Sequence, residues 1–473
     1  MTDNASTPSA WRHWAGLLGS FSTAILVAVG LAQNPSVPQE AAFMAGIFVL
    51  AALLWVTEAL PLFATSLLVI GLQIVFLANP GKWSGLGFQS GTSPGFRDII
   101  AAAADPVLLL FFGGFLLAQA AVKESVDKSM SALLLKPFGQ RPAFALIGVL
   151  SVTALFSMFM SNTATTAMMI TLVSPMLAQL PQGERFRKAL VLAVPFAANI
   201  GGMGTPIGSP PNAVATGFLQ KGGHEVSFLQ WMMVCVPIML VLLVVAWLLL
   251  WFFFKPAATG LAVKLEQHQV SKRGWFVVAI FVITVLLWLT DKVHGLPAAV
   301  VALVPAIAFT STKLLDRSDV NSLEWNVLIL IAGGISLGAG MQMTGLDKLI
   351  VQALPIGPGS SGTIVVVVLV LATVLMSTFM SNTAAANLLL PIGISAAASL
   401  GDDFGAVRIT LDIALAASLA MALPISTPPN AIAYSKGELT TKDMLKVGAL
   451  IGLIGSIIVL AFSSFLMRLA GVH

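Results

Sequence analysis

The 473-residue chain is 57% hydrophobic and only 9% charged, with a mean hydropathy of +0.94 and a formal net charge of +4. So little polar surface cannot solvate a globule of this length, which excludes a soluble domain and predicts an integral membrane protein whose charge reflects topology, not nucleic-acid binding. Cys235 is the lone cysteine, ruling out an internal disulfide and a cysteine metal cage, and the five histidines fall in terminal or loop-like segments, so no zinc site is expected.

Residues 1–39 comprise a Ser-, Thr- and Asn-rich tail and a first apolar run, Trp14 to Ala32. Gly30-Leu31-Ala32 resembles a signal-peptidase site, but the run is long for a signal core and further spans follow at once, so a retained first helix is predicted. Apolar stretches long enough to cross a bilayer recur at 41–59, 62–79, 106–122, 189–220, 229–254, 274–290, 296–312, 326–343, 407–435 and 444–467. The charged run from Lys123 to Arg141 reads as an interfacial helix on the cytoplasmic face. Two longer apolar regions, 143–181 and 362–400, are each split by a Ser-Asn-Thr motif. The expected fold is an all-α integral membrane protein with about 11 transmembrane helices besides these two split regions.

The halves echo one another. Ser157-Met158-Phe159-Met160-Ser161-Asn162-Thr163-Ala164 returns 220 residues later as Ser377-Thr378-Phe379-Met380-Ser381-Asn382-Thr383-Ala384. Leu54-Trp55-Val56-Thr57-Glu58 resembles Leu287-Trp288-Leu289-Thr290-Asp291, and Gly113-Gly114 recurs as Gly333-Gly334. Pro206-Ile207-Gly208-Ser209-Pro210-Pro211-Asn212-Ala213 matches Pro424-Ile425-Ser426-Thr427-Pro428-Pro429-Asn430-Ala431. Four echoes in one order define two repeats, 40–256 and 274–473, joined by a cytoplasmic linker at 257–273. Each holds five full crossings, an odd number, so the second enters the membrane inverted, as in many transporters. With the N-terminus in the cytoplasm and the C-terminus outside, segments assigned inside carry 17 of the 24 Lys and Arg residues and those outside 7, as the positive-inside rule requires.

Ser, Asn and Thr are strong N-cap residues, so each Ser-Asn-Thr motif ends one half-helix and begins another, the first starting near Ala164. A helix start suits an oxyanion, whereas the carbonyls of the half-helix that ends there suit a hard cation such as Na⁺. Prolines in the Pro-Pro-Asn segments interrupt the spans 189–220 and 407–435 midway. These four motifs contain no Lys, Arg, Asp or Glu, so a bound dianion needs a mobile countercharge, and co-transported sodium supplies it.

The duplicated Ser-Asn-Thr signature, each copy followed by a Pro-Pro-Asn break, resembles the divalent anion:sodium symporter family, whose bacterial members import succinate, malate, fumarate and related C4-dicarboxylates. The likeness runs from near residue 40 to the end. It implies a sodium-coupled symporter of the inner membrane with no organic cofactor. It further implies a homodimer, each subunit a static scaffold and a transport domain that moves as an elevator, with 143–181 and 362–400 as re-entrant hairpins meeting tip to tip. Carried over by motif, the first sodium site uses Ser157, Ser161, Asn162 and Gly208, and the second Ser377, Met380 through its carbonyl, Asn382 and Ser426. The substrate carboxylates meet Asn162, Thr163, Ser209, Asn382, Thr383, Thr427 and Pro428. The hydroxyl of Ser426 stands where a small residue contributing only its carbonyl is expected, which bears on the second site's ion preference.

Simpler roles fit other residues. The glycine pairs read as close-packing sites, Glu58 and Asp291 as solvated helix termini, and Asp412 as a paired carboxylate, with proton coupling through Asp412 as its sharper reading. Sodium-independent exchange, and citrate or sulfate as substrate, are the alternatives within the same fold. No motif pairs a nucleophile with a base, so an enzyme is not expected.

Overall fold

The computed structural model describes residues 10–83, 94–138, 141–257, 269–353, 362–400 and 403–472. Outside the described residues lie the predicted tail up to residue 9, 139–140 of the charged run and 258–268 of the linker. Every regular element among the described residues is helical. Among the described residues eight helices are long and apolar enough to cross a membrane, and Leu62–Ala78, Pro142–Ser157 and Ala298–Ser311 are apolar but shorter. Seven of the eight coincide with predicted spans. The eighth, Gly362–Phe379, is one arm of the second split region.

Fewer long helices than the predicted eleven result from interruptions. The spans expected at 62–79 and 296–312 are the short helices just named. The spans 189–220 and 407–435 are each divided, into Arg185–Gly201 with Pro210–Lys221 and into Asp403–Ser418 with Pro428–Tyr434. Proline supplies no N–H to the preceding turn, so both second half-helices start with the two prolines in the first turn, where that loss is harmless. The charged run forms Val126–Leu135, as expected of a short helix there.

Both split regions are helical hairpins, Pro142–Ser157 with Asn162–Leu177 and Gly362–Phe379 with Asn382–Leu400. Each hairpin packs on the first half-helix of its own repeat. The second half-helices cross over: Pro210–Lys221 packs on Asn382–Leu400, and Pro428–Tyr434 on Asn162–Leu177. That exchange brings motifs 220 residues apart to one place.

Helix Trp325–Thr344 is pressed between Leu62–Leu72 and Asn382–Leu400. A Cβ on Gly333 would collide with Ser66, and one on Gly334 with the Asn387 amide, which donates to the Leu330 carbonyl at 3.3 Å. The glycine pair is therefore a packing site. Asp291 caps helix Phe228–Phe253, accepting from Phe228 N at 3.2 Å. Asp412 is fully buried and pairs with Arg408, one turn away, at 3.5 Å. On the loop side, Arg187 pairs with Glu438 and donates to the carbonyls of Leu177 and Leu180, tying the first hairpin to the end of the second broken helix.

Candidate functional site

Ser161 is the N-cap of Asn162–Leu177, its Oγ accepting from Ala164 N at 3.2 Å, so the helix begins two residues before the expected start. One turn earlier Ser157 is fully buried, its Oγ 2.7 Å from Asn162 Oδ1 and 2.8 Å from the Ala198 carbonyl. The Asn162 amide can sit two ways. With oxygen inward it faces Ser157 Oγ and the carbonyls of Gly208 and Ala198; with nitrogen inward it donates to the same three atoms at 2.7, 3.2 and 3.2 Å. The second tip repeats the arrangement, Ser377 Oγ lying 2.8 Å from both Asn382 Oδ1 and the Ala417 carbonyl.

The breaks are closed by their own asparagines. Asn212 donates to the carbonyls of Gly202 (2.9 Å) and Thr205 (2.8 Å), and Asn430 to those of Met421 (3.0 Å) and Leu423 (2.9 Å). Both thereby satisfy carbonyls that a broken helix leaves open. Thr205 donates to the Met158 carbonyl, and Ser426 to the Thr378 carbonyl at 2.8 Å while accepting from Leu423 N. The Ser426 hydroxyl, whose position the motif comparison singled out, is thus engaged with backbone.

Tips and breaks surround one cavity of about 570 Å³. All seven predicted substrate residues, Asn162, Thr163, Ser209, Asn382, Thr383, Thr427 and Pro428, line it. Of the predicted ion ligands, Ser161, Asn162, Gly208, Asn382 and Ser426 line it too, whereas Ser157 and Ser377 lie buried behind the tips. Met380 is buried in an apolar cluster with Ala384, Ala385 and Leu388, and is not part of the lining. A Cβ on Gly208 would run into the Gly202 backbone, so only glycine fits this lining position.

Among the other residues that line the cavity, Asn199, Glu58 and Glu324 belong to no predicted site. Asn199 bridges the repeats, donating to Thr427 Oγ1 (3.2 Å) and Asn430 Oδ1 (3.3 Å). Its Oδ1, like Ser209 Oγ, is buried and has no hydrogen-bond partner among the described residues. Glu58 caps Gln39–Thr57 in a left-handed conformation at the edge of the cavity and is exposed, as expected of a solvated helix terminus. Glu324 accepts a hydrogen bond from the Ser161 hydroxyl at 2.9 Å. The four motifs are uncharged, but the cavity is not. Position 220 before Glu324 is Ala104, and the residue aligned with Asn199 is Ser418, so a search for echoes passes over both.

Capped hairpin tips and broken half-helices around a polar cavity, inside an apolar helical bundle, define a membrane transporter. Residues 13–471 match the family described as sodium:sulfate symporter transmembrane region. The chain is 33% identical over 427 residues to a transporter of Haemophilus influenzae, covering 86% of this chain and 88% of that one. It is 30% identical over 466 residues to the sodium-dependent dicarboxylate transporter SdcS of Staphylococcus saprophyticus, covering 89% and 86%. A transporter of Schizosaccharomyces pombe is 33% identical over 439 residues, 90% of this chain, which spans only 50% of that protein's length. The crystal structure of the Alcanivorax borkumensis YdaH transporter matches with a TM-score of 0.57 over 87% of this chain and 97% of that one; at 15% identity this is a likeness of fold alone. The chain belongs to the sodium:sulfate symporter family, the divalent anion:sodium symporters whose motifs it carries.

Proposed function

We propose that the protein imports C4-dicarboxylates of the succinate, malate and fumarate class by symport with sodium. The observation that carries this reading is the first break, where Ser157 Oγ, the Asn162 side-chain amide and the carbonyls of Ala198 and Gly208 converge. With its nitrogen inward the amide donates to the other three; with its oxygen inward it faces two carbonyls, and a cation among the oxygens removes that repulsion. Half a rotation of Asn162 thus answers the arrival or departure of an ion. Ser377, Asn382 and the Ala417 carbonyl offer the second repeat's version, with Ser426 and Met380 as its further candidates.

The dianion's carboxylates would lie between the tips, against Asn162, Thr163, Asn382 and Thr383, with Ser209, Thr427 and Pro428 at the breaks. Starts of the helices Asn162–Leu177 and Asn382–Leu400 favour negative charge there. Two bound cations neutralise the guest, so each partner binds poorly alone, and that is the basis of coupling. Dicarboxylate is preferred over sulfate or citrate because relatives along nearly the whole chain are named sodium-dependent dicarboxylate transporters.

In this reading the repeats are 40–256 and 274–473, and the hairpins with their broken helices form a transport domain. That domain rides as an elevator against a scaffold, in a homodimer of the inner membrane with N-terminus inside and C-terminus outside. Glu58, Leu62 and Glu324 stand at span ends that this topology assigns to the cytoplasm, so the cavity opens inward. Uptake of labelled succinate into proteoliposomes should require an inward sodium gradient. Equal uptake with potassium or choline, or counterflow in sodium-free buffer, would overturn sodium symport in favour of exchange.

A further inference from the structure

Glu324 stands just before helix Trp325–Thr344, which lies outside the moving parts of the elevator reading, yet its carboxylate accepts a hydrogen bond from the Ser161 hydroxyl at the first tip. The geometry points to Glu324 as a positioning residue that raises cation affinity and lowers anion affinity at the first tip. This inference rests on the sodium-symport reading above.

Ser161 Oγ has two lone pairs and one proton. One lone pair accepts from Ala164 N, and the proton goes to Glu324. The remaining lone pair is then left for a cation, which needs an oxygen with no proton directed at it. Donation to a carboxylate also makes the hydroxyl oxygen more basic, as outer hydrogen bonds do for metal ligands generally. Beyond orientation, a negative charge one hydrogen bond from the tip attracts the cation and repels the dianion through the poorly screening cavity wall.

The second tip lacks this device. Among the described residues no carboxylate hydrogen-bonds Ser381, and Asp105, next to the position aligned with Glu324, turns instead to Val107 N (3.0 Å) and toward Lys221 (3.9 Å). Because Glu324 and Ser161 would sit on parts that slide past each other, the contact exists in one position only. It therefore gives the cation and the anion different affinities on the two sides of the membrane, and on this side it favours release of the anion ahead of the cation.

The test is a thermal-stability titration of purified full-length protein with sodium, at ionic strength held by potassium, followed by succinate at saturating sodium. E324Q is expected to raise the sodium midpoint about ten-fold. The same variant should lower the succinate midpoint about three-fold, because the repulsion is gone. E324D, which keeps the charge, should hold both midpoints within about two-fold of wild type. A loss of fit alone would weaken both ligands together, so a parallel fall of both affinities in E324Q overturns the inference, as does an unchanged sodium midpoint or an E324D variant that behaves like E324Q. Absence of any sodium response in wild type would overturn the symport reading itself, and this inference with it. If E324Q does not fold, Glu324→Thr removes the same charge and is judged by the same outcomes.

Discussion

In the first break Thr205, fully buried, ties the unwound segment to the Met158 carbonyl, and Ile207 beside it is only 6% exposed. In the second break the corresponding tie is Ser426 to Thr378, and Ile425, the residue aligned with Ile207, is 76% exposed. Near-identical motifs are thus held at different depths. Asn199 deepens the inequality, since it reaches from the first broken helix to Thr427 and Asn430 in the second, while its counterpart Ser418 finds no partner among the described residues. The two copies of the motif therefore differ in packing, one with a buried anchor and the other with an open flank. Fewer buried contacts mean easier local opening, so the second break is the one expected to yield first.

The comparison is tested most severely at the tips. Asn162→Ala and Asn382→Ala should each lower sodium-driven succinate uptake about 100-fold if both tips hold ligands, because each asparagine organises both an ion set and a carboxylate contact. A much milder effect at one tip, read in proteoliposomes, would make the two sites unequal in function as well as in packing. Next in size, Thr205→Val should cost about 2 kcal/mol of stability, since it strands the buried Met158 carbonyl. Ser426→Ala, at the more open break, should cost about 1 kcal/mol, and thermal unfolding of both variants would show whether depth sets the difference.

Asn199→Ser makes the first half resemble the second at this point. It should weaken substrate binding about ten-fold by freeing Thr427 and Asn430, with little change in sodium affinity, as measured by succinate titration at saturating sodium. Smallest of all, Glu438→Gln removes the pair with Arg187 and should cost about 1 kcal/mol. Hydrogen bonding to Arg187 holds the Glu438 carboxyl below its ordinary range, so this stabilisation is complete above pH 4.5 and fades as pH falls below it. Thermal unfolding of wild type and Glu438→Gln should accordingly converge in acid.

Hairpins and broken helices were legible because their causes are local: Ser161 accepts from an N–H three residues on, and Pro210-Pro211 and Pro428-Pro429 start new half-helices wherever the chain carries them. The count of full crossings was less so, because hydropathy persists through a proline break that the hydrogen-bond ladder does not survive. Glu324 and Asn199 escaped for another reason. Repetition marks what two halves share, and these residues belong to one half only.

Membrane residence, the doubling and the chemistry of tips and breaks follow from the order of residues alone, since apolar length, capping and proline act over a few positions. That Glu324 reaches Ser161 across 163 residues, that Asn199 clasps the other repeat and that Ser426 turns its hydroxyl to the Thr378 carbonyl was decided only by packing. Side chains far apart along the chain meet where crossing helices put them, and no local preference encodes that meeting.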